Sequence, residues 1–542
     1  MSATTADALP RGAAPAAASA TGPAAPQRAG AGTRETIGFF TMVVGMFMAI
    51  LDIQIVSSSI SEIQAGLAAS PDEISWVQTA YLIAEVVMIP LSGFLSRLLS
   101  TRILYVISAA SFTLSSLACA VAWNIESMIV FRALQGFLGG AMIPTVFAAS
   151  FILFPPQRRA GISVLIGLVA TMAPTIGPTL GGYLTQAFSW HWLFLINVIP
   201  GILVTTGVWF LVNFDRPNLD LLKGFDFAGL GLMAMFLGSF EYVFEEGPRW
   251  DWFEDQSILT FAVIGSVAGL CFFARVLSAR NPIVDLRAFA DRNFSLGCLY
   301  SLIIGVGLYG AVYIVPLFLA RVRGLNSLQI GEIMFVTGVF QFISAPLAGM
   351  LSKKLDLRLM LGIGLVAFGT GIYLMTWITA DWSFWELFWP QAVRGVSLML
   401  LFLPINTLAL GTLPPDKIKN ASGLYNLMRN LGGAFGLAGI NTVMIDRARL
   451  HTSRIADHIT MTNPHVQATV DNFSQMFTSA GLGNPDLAAV KMIDNMVLKQ
   501  SQVLTFADCF LLMALLFYAG LLLMPLLRAP KPAPAAAGGG GH

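Results

Sequence analysis

The chain has 542 residues, of which 56% are hydrophobic and only 11% charged, and its formal net charge at pH 7 is +1. A soluble globular domain carries about 25% charged residues, so this composition excludes a soluble protein and predicts one that crosses a membrane several times. The near-neutral charge gives no reason to expect a nucleic-acid partner. The four cysteines and five histidines lack metal-ligand spacing, so we expect neither a metal site nor a cofactor.

Hydropathy divides the chain into two tails and a long series of apolar segments. Residues 1–36 are rich in alanine and proline and contain no apolar signal-peptide core, which predicts a disordered tail, and the Pro/Ala/Gly-rich residues 528–542 predict a second one. Between them, apolar windows of about 20 residues are long enough to span a membrane as helices. They predict fourteen spans, near residues 37–60, 75–98, 103–121, 126–153, 160–184, 192–212, 227–244, 258–276, 294–320, 329–351, 358–377, 385–412, 420–444 and 502–527.

Basic residues are distributed unevenly between the predicted loops. An even number of spans places both termini on one side of the membrane, and the loops on that side carry basic clusters such as Arg158 with Arg159 and Lys353 with Lys354. The short loops on the other side hold few basic residues. Because positively charged loops stay in the cytoplasm, the pattern predicts a multi-pass membrane protein with both termini in the cytoplasm.

An internal repeat divides the spans into two sets of six. The sequence PLSGFLSR, which begins at Pro90, recurs as PLAGMLSK from Pro346, 256 positions later. The repeat predicts two six-helix bundles, in residues 37–212 and 293–527, joined by a linker (213–292) that contains two inserted spans.

The longest predicted loop covers residues 446–500, outside the membrane and opposite the termini. Apolar residues recur in it at helical spacing, first at Val466, Val470 and Phe473 and again at Leu487 and Val490. Loops of this length generally carry a function or are disordered.

Spans four and five hold an arginine and a Pro/Gly cluster. Arg132 lies inside span four, where an isolated charge costs about 2.5–3.5 kcal/mol and therefore needs a partner or water. In span five, Pro174 and Pro178 each remove a helix hydrogen bond and should bend the helix. The nearby Gly177, Gly181 and Gly182 would let another helix approach closely, and helix packing alone could explain them.

Further polar and charged residues lie within or beside the predicted spans. Asp52 and Glu85 are within spans one and two, where Asp52 could be a static partner of an arginine and Glu85 could face water. Glu241 lies near the end of span seven, just before Glu245 and Glu246, which we expect at the surface. For Arg394 and Arg429 we favour a structural role. The candidates for polar residues that line a cavity are Gln54, Asn406, Asn426, Arg394 and Arg429.

Three motifs resemble those of the major facilitator superfamily, and within it the 14-helix drug:proton antiporters of the Emr type. Arg132 followed by Gln135-Gly136 matches the family's motif in helix four. The sequence GPTLGG from Gly177 matches the helix-five motif of exporters, and LDIQIV from Leu51 matches the antiporter motif of helix one. The resemblance covers about residues 37–527.

The resemblance implies a fold and a set of site residues. The fold is an all-α polytopic bundle, with Asp52, Glu85 and Arg132 in proton coupling and the span-five motif in gating. The segment with Gly93, Arg97 and Arg102 resembles the family's cytoplasmic gate loop. However, Arg97 and Lys353 stand where the family has an aspartate, so topology signalling explains these basic residues equally well.

The resemblance also implies a function. We expect a proton-coupled antiporter that exports hydrophobic or amphiphilic drugs across the bacterial inner membrane by alternating access, with a periplasmic adaptor and an outer-membrane channel as partners. Alternatives are an exporter of one endogenous metabolite or fatty acid, an importer, which the helix-five motif disfavours, and a membrane receptor. The sequence contains no catalytic triad, metal cluster or phosphate-binding loop, so we do not expect an enzyme.

Overall fold

The computed structural model describes residues 32–528, apart from 58, 71–72, 280–281, 461 and 482. Within that part of the chain the regular structure is entirely helical, which confirms the predicted fold class. Most of the predicted tails, residues 1–31 and 529–542, lies outside the described residues. The first helix begins at Thr33, four residues inside the predicted N-terminal tail.

The first half contains the six predicted spans, two of them broken into two helices. Span four breaks between Gly139 and Met142, and span six breaks between Leu195 and Val198. The helices are α1 (Thr33–Ser57), the short α2 (Ile60–Gly66), α3 (Trp76–Leu99), α4 (Thr101–Ala120), α5 (Ile125–Gly139), α6 (Met142–Leu153), α7 (Pro156–Ala187), α8 (Trp192–Leu195) and α9 (Val198–Leu211).

The inserted pair and the second half follow in the predicted order. The helices are α10 (Phe227–Glu246), α11 (Gln256–Ser278), α12 (Arg292–Arg321), α13 (Ser327–Lys354), α14 (Leu357–Leu374), α15 (Phe384–Leu410), α16 (Pro415–Ala456), α17 (Pro464–Ser479) and α18 (Pro485–Gly520). Several begin at side-chain caps, because the oxygens of Asp226, Asp255, Asp291 and Asn326 accept hydrogen bonds from the first free backbone N–H groups.

Thirteen helical segments in the described chain are long and apolar enough to span a membrane. The helix α16 is the fourteenth, although Asn426, Arg429 and Asn430 make it too polar to be recognised by hydropathy. It packs against α3 and α6 of the first half and against α12 and α18 of its own half. Neighbouring helices therefore surround a span whose polar side chains lipid could not accommodate.

The two halves meet along a seam between α7 and the pair α13 and α15, and between α16 and the pair α3 and α6. The inserted helix α10 packs beside this seam, in contact with α3 from one half and α16 from the other. We call the end of the bundle where α1 begins the proximal face, and the end where α1 finishes the distal face.

The described part of residues 446–500 forms a helical structure on the distal face, which we call the distal hairpin. The helix α16 continues through this segment to Ala456, α17 follows, and α18 already begins at Pro485. Val470, Ala489 and Val497 are buried where α17 and α18 pack together. Of the residues that the apolar spacing in the sequence singled out, Val470 is buried in this packing, whereas Leu487 and Val490 are exposed.

Candidate transport site

Asp52 lies at the centre of a buried polar network in the first half. Its side chain on α1 is fully buried and accepts three hydrogen bonds. Nη1 of Arg132 donates to Oδ2 at 2.6 Å, while Nε2 of Gln135 and Nδ2 of Asn197 donate to Oδ1 at 3.1 and 2.7 Å. The structure thus brings together three residues selected from the sequence and adds Asn197. The only sequence signal for Asn197 is a polar residue inside an apolar span.

The Arg132 guanidinium is held by more than its carboxylate. Its Nε donates to the Val77 carbonyl at 3.1 Å, its Nη1 also donates to Gln135 at 2.7 Å, and its Cζ lies 4.3 Å from the centre of the Tyr81 ring. The Nη2 atom is buried without a hydrogen-bond partner among the described residues. A buried ion pair offsets its desolvation only with such additional contacts, and removing either charge leaves the other uncompensated.

A cavity of about 440 Å³ lies between the two halves, on the distal side of the membrane centre. Its walls combine apolar and aromatic side chains with Gln54 and Asn441, and Pro178 of the span-five motif contributes to it. A recess of about 50 Å³ shares five lining residues with this cavity and contains Glu85. The volume suits a small-molecule ligand.

The glycine motif of α7 allows close contact with α1. A Cβ atom on Gly177 would lie only 2.5 Å from Cβ of Gln54, a cavity-lining residue. Gly181 and Gly182 are buried one turn further along. The helix runs from Pro156 to Ala187 without interruption, so Pro174 and Pro178 do not break it.

The proximal face is joined across the halves by residues other than the predicted arginines. Nζ of Lys419, on α16, lies 2.5 Å from Oδ2 of Asp215 and donates to the Ser96 carbonyl at 3.0 Å. Gly93 makes this approach possible, because a Cβ there would lie 2.8 Å from the Asn420 Cα.

The two arginines predicted at this gate make other contacts. The Arg97 guanidinium lies 5.9 Å from the centre of the Phe94 ring, and that of Arg102 lies 5.3 Å from the Trp209 ring. The carboxylate of the joining ion pair comes from Asp215, which also accepts hydrogen bonds from the backbone and hydroxyl of Thr101 at 2.9 and 2.6 Å.

The predicted polar residues of the second half lie apart from the main cavity and its recess. Arg394 is buried and donates to the Thr337 hydroxyl at 3.0 Å, and Asn406 donates to Ser163 of the first half at 3.4 Å. Arg429 donates to Asn426 at 2.8 Å and packs over Phe147. Of the five residues proposed as cavity-lining, Gln54 lines the cavity and its recess, and the other four line neither.

The glutamates of α10 correct another expectation. Glu246 was expected at the surface but is buried, and its Oε1 accepts a hydrogen bond from the Thr79 hydroxyl at 3.2 Å. Glu245, also expected at the surface, is partly buried and lines the cavity, while Glu241 is buried in the recess. The expectation of a surface position was wrong because α3 and α16 cover this end of α10.

The family comparison identifies the chain over most of its length. The model of the Major Facilitator Superfamily matches residues 42–437. A colistin resistance protein, EmrB of Acinetobacter baumannii, is 42% identical over 480 residues, which cover 89% of this chain and 94% of that protein. The multidrug export protein EmrB of Escherichia coli is 30% identical over 94% of this chain and 98% of its own length. The fatty acid resistance protein FarB of Neisseria gonorrhoeae is also 30% identical, over 93% and 98%.

Solved structures agree on the fold. The human organic anion transporter MFSD10 aligns with a TM-score of 0.55 at 12% identity, over 89% of this chain and 99% of that one. A bacterial homologue of the human lysosomal transporter Spinster aligns with a TM-score of 0.52 at 13% identity, over 93% of this chain and 100% of that one. The helical bundle, the motifs of α1, α5 and α7 and the family match agree, and the chain belongs to the major facilitator superfamily and, within it, to the Emr-type multidrug transporters.

Proposed function

We propose that this protein is a proton-coupled antiporter that exports hydrophobic or amphiphilic compounds across the bacterial inner membrane. The observation that carries the proposal is the fully buried Asp52–Arg132 pair, which lies beside the cavity that Gln54 of the same helix lines. The names of the relatives, which refer to colistin resistance, fatty acid resistance and multidrug export, support an efflux role.

Coupling follows from the charge balance at Asp52. As a carboxylate it balances the Arg132 guanidinium and accepts hydrogen bonds from Gln135 and Asn197. A proton on Asp52 removes that balance and converts one acceptor oxygen into a donor, so the network must rearrange. Because α1 also supplies Gln54 to the cavity wall and packs against α7, this rearrangement reaches the substrate site and the Gly177 contact. Glu85, in the recess beside the cavity, is the second candidate for the coupling group.

Alternating access is supported by the asymmetry between the faces. The Lys419–Asp215 ion pair and the Gly93 contact join the halves on the proximal face, while the cavity lies on the distal side. We assign the proximal face to the cytoplasm, because the basic loops lie there. Arg158→Cys and Lys353→Cys should therefore resist an impermeant thiol reagent in intact cells, while Thr478→Cys on α17 should react. Labelling at 158 or 353 would contradict this orientation.

The distal hairpin is the proposed docking surface for a periplasmic adaptor that leads to an outer-membrane channel. Met476, Leu487 and Val490 are exposed apolar residues on it. Replacing residues 450–498 with a short Gly/Ser linker should preserve transport in vesicles and abolish resistance of whole cells. Resistance that survives the replacement would reject a docking role.

The central test is export by purified protein in liposomes under an imposed pH gradient. Wild-type protein should drive accumulation of a hydrophobic dye and release protons in exchange, and Gly177→Leu should block both because a side chain there collides with Gln54. Gly161→Leu on the same helix is the control, since a Cβ atom at that position would meet nothing within 4 Å. Dye transport that does not depend on the pH gradient would refute the proposed proton antiport. A panel that includes fatty acids and single metabolites separates multidrug export from the narrower alternative.

A further inference from the structure

The inserted helix α10 places carboxylates at the inner end of the transport cavity. The recess of about 50 Å³ is lined by Glu241 and Glu245 from this helix and by Glu85 from α3. Glu245 also lines the main cavity, so the recess and the cavity are continuous around it. A helix outside the two repeated bundles thus supplies two of the three acidic groups in this space.

Two of these carboxylates have an oxygen with no protein partner. Oε2 of Glu85 and Oε2 of Glu241 are buried without a hydrogen bond among the described residues, and the two side chains are 1% and 4% exposed. Glu246, on the same helix, provides a contrast because its Oε1 accepts the Thr79 hydroxyl. An ionised carboxylate in an apolar setting must be compensated, by a proton or by a cation. Both residues line the recess, so a compensating proton or cation would have to enter there.

The surrounding charges leave a negative excess. Glu85 experiences the fields of Arg429 and Arg132, but Arg132 is already paired with Asp52. Arg429 donates to Asn426 and stacks over aromatic rings. Glu241 interacts with Glu245 and Glu85, which carry the same sign of charge. Among the described residues, three carboxylates therefore line a recess that no arginine lines, although the field of Arg429 reaches Glu85.

The main cavity beside the recess suits the remainder of an amphiphile. Phe244, Tyr309 and Tyr313 contribute aromatic surface to it, and Leu317 and Leu437 contribute apolar surface. Aromatic faces attract organic cations as well as apolar groups. The recess is large enough for an ammonium group, and the cavity of about 440 Å³ is large enough for an attached ring system.

We propose that α10 builds a binding site for the cationic group of amphiphilic organic cations, with Glu241 and Glu245 facing Glu85 across the recess. The proposal rests on the proposed export function, since it names a substrate class for the same cavity. Cation selectivity would then be a property of the inserted helix, while the repeated halves supply the apolar walls.

Equilibrium binding tests this site without any gradient. Naphthylethylammonium and the neutral naphthylethanol share one ring system and differ in charge. With purified protein in nanodiscs, we expect the ammonium compound to bind at least about tenfold more tightly than the alcohol, which corresponds to about 1.4 kcal/mol. The double variant Glu241→Gln/Glu245→Gln should lose this preference while its affinity for the alcohol stays within about twofold of the wild-type value.

Control variants keep the test decisive. Glu245→Gln alone changes a partly buried residue and should lower the preference even where the double variant fails to fold, and Glu245→Asp should retain most of it. Glu332→Gln removes the same charge from an exposed position of α13 and should change nothing.

The outcomes separate the two proposals. Preference that persists in the glutamine variants, or its absence in the wild type, overturns the cation site. A wild type that exports neutral compounds without preferring the ammonium probe refutes the site and supports the exporter. If the ammonium compound binds in a way that depends on the glutamates but the protein exports nothing, the cation site is supported and the proposed export function is refuted.

Discussion

The two halves accommodate a buried arginine in different ways. Arg132 is paired with Asp52 at 2.6 Å, whereas Arg394 reaches the Thr337 hydroxyl and leaves its Nη1 without a partner among the described residues. At the repeat offset of 256, the position equivalent to Asp52 is Leu308. The comparison teaches that the repeat duplicates the scaffold of helices but not the ion pair, so of these two buried arginines only the one in the first half has a carboxylate partner among the described residues.

The largest effect is expected from breaking the pair itself. Asp52→Asn should reduce pH-gradient-driven export to background, because the side chain can no longer exchange a proton, yet substrate binding should persist in the intact cavity. The measurement is dye export from proteoliposomes alongside equilibrium binding. Asp220→Asn, in an exposed ion pair with Lys223, is the control and should export normally. If Asp52→Asn still exports uphill, coupling lies elsewhere, and Glu85→Gln should then be the variant that fails.

Replacing each arginine by methionine sharpens the comparison. Arg132→Met leaves Asp52 as an uncompensated buried carboxylate, and breaking a buried pair in this way costs about 3–5 kcal/mol. Arg394→Met leaves only hydroxyl and amide groups, so its cost should stay below about 1.5 kcal/mol. Thermal unfolding of the two purified variants measures the difference. Equal losses of stability would show that the two arginines are structurally equivalent.

The repeat offers a matched pair of glycines on the proximal side. A Cβ on Gly93 would lie 2.8 Å from the backbone of Asn420, while one on Gly349 would lie at an ordinary 3.5 Å from the Val164 side chain. Gly93→Ala should therefore cost about 1–3 kcal/mol or separate the proximal ends of the halves. Gly349→Ala should remain within about 0.5 kcal/mol of wild type. Unfolding temperatures and thiol accessibility at Ser96→Cys give the two readouts.

The smallest effect that we expect is the coupling between Arg394 and a carboxylate supplied at the position equivalent to Asp52. Leu308 and Arg394 line the same small internal space, so Leu308→Asp should place a negative charge near the guanidinium. Leu308→Asp should be more destabilising in an Arg394→Met background than alone, with a coupling of about 1 kcal/mol in a double-mutant cycle. Additive effects would mean that the two side chains do not interact.

The sequence predicted the helices well where apolar length alone determines them. Every predicted span has a helix, and most boundaries agree within a few residues. The sequence underestimated the length of α16, whose continuation to Ala456 depends on packing with α18 rather than on hydropathy. Breaks such as the one at Asn197 were invisible because a polar residue alone does not indicate where a helix is interrupted.

The residues of the candidate site could be predicted only where they belong to a recognisable sequence motif. Asp52, Arg132 and Gln135 follow from motifs and meet as expected. The Lys419–Asp215 pair was missed because each residue, taken alone, resembles an ordinary loop charge. The burial of Glu246 was missed because nothing in the chain indicates that α10 inserts between α3 and α16. Contacts between halves depend on tertiary placement, which periodicity does not encode.

The continuous course of α16 has a mechanical consequence. At about 1.5 Å per residue its 42 residues form a rod of about 63 Å, roughly twice the hydrocarbon thickness of a bilayer. One rigid element thus carries the Lys419 contact at one end, Asn441 in the cavity wall and the distal hairpin at the other end. If α16 tilts as a rigid body and the Lys419–Asp215 contact opens, the hairpin at its other end must move as well. A protein bound to the hairpin would therefore be coupled to this movement and could slow it.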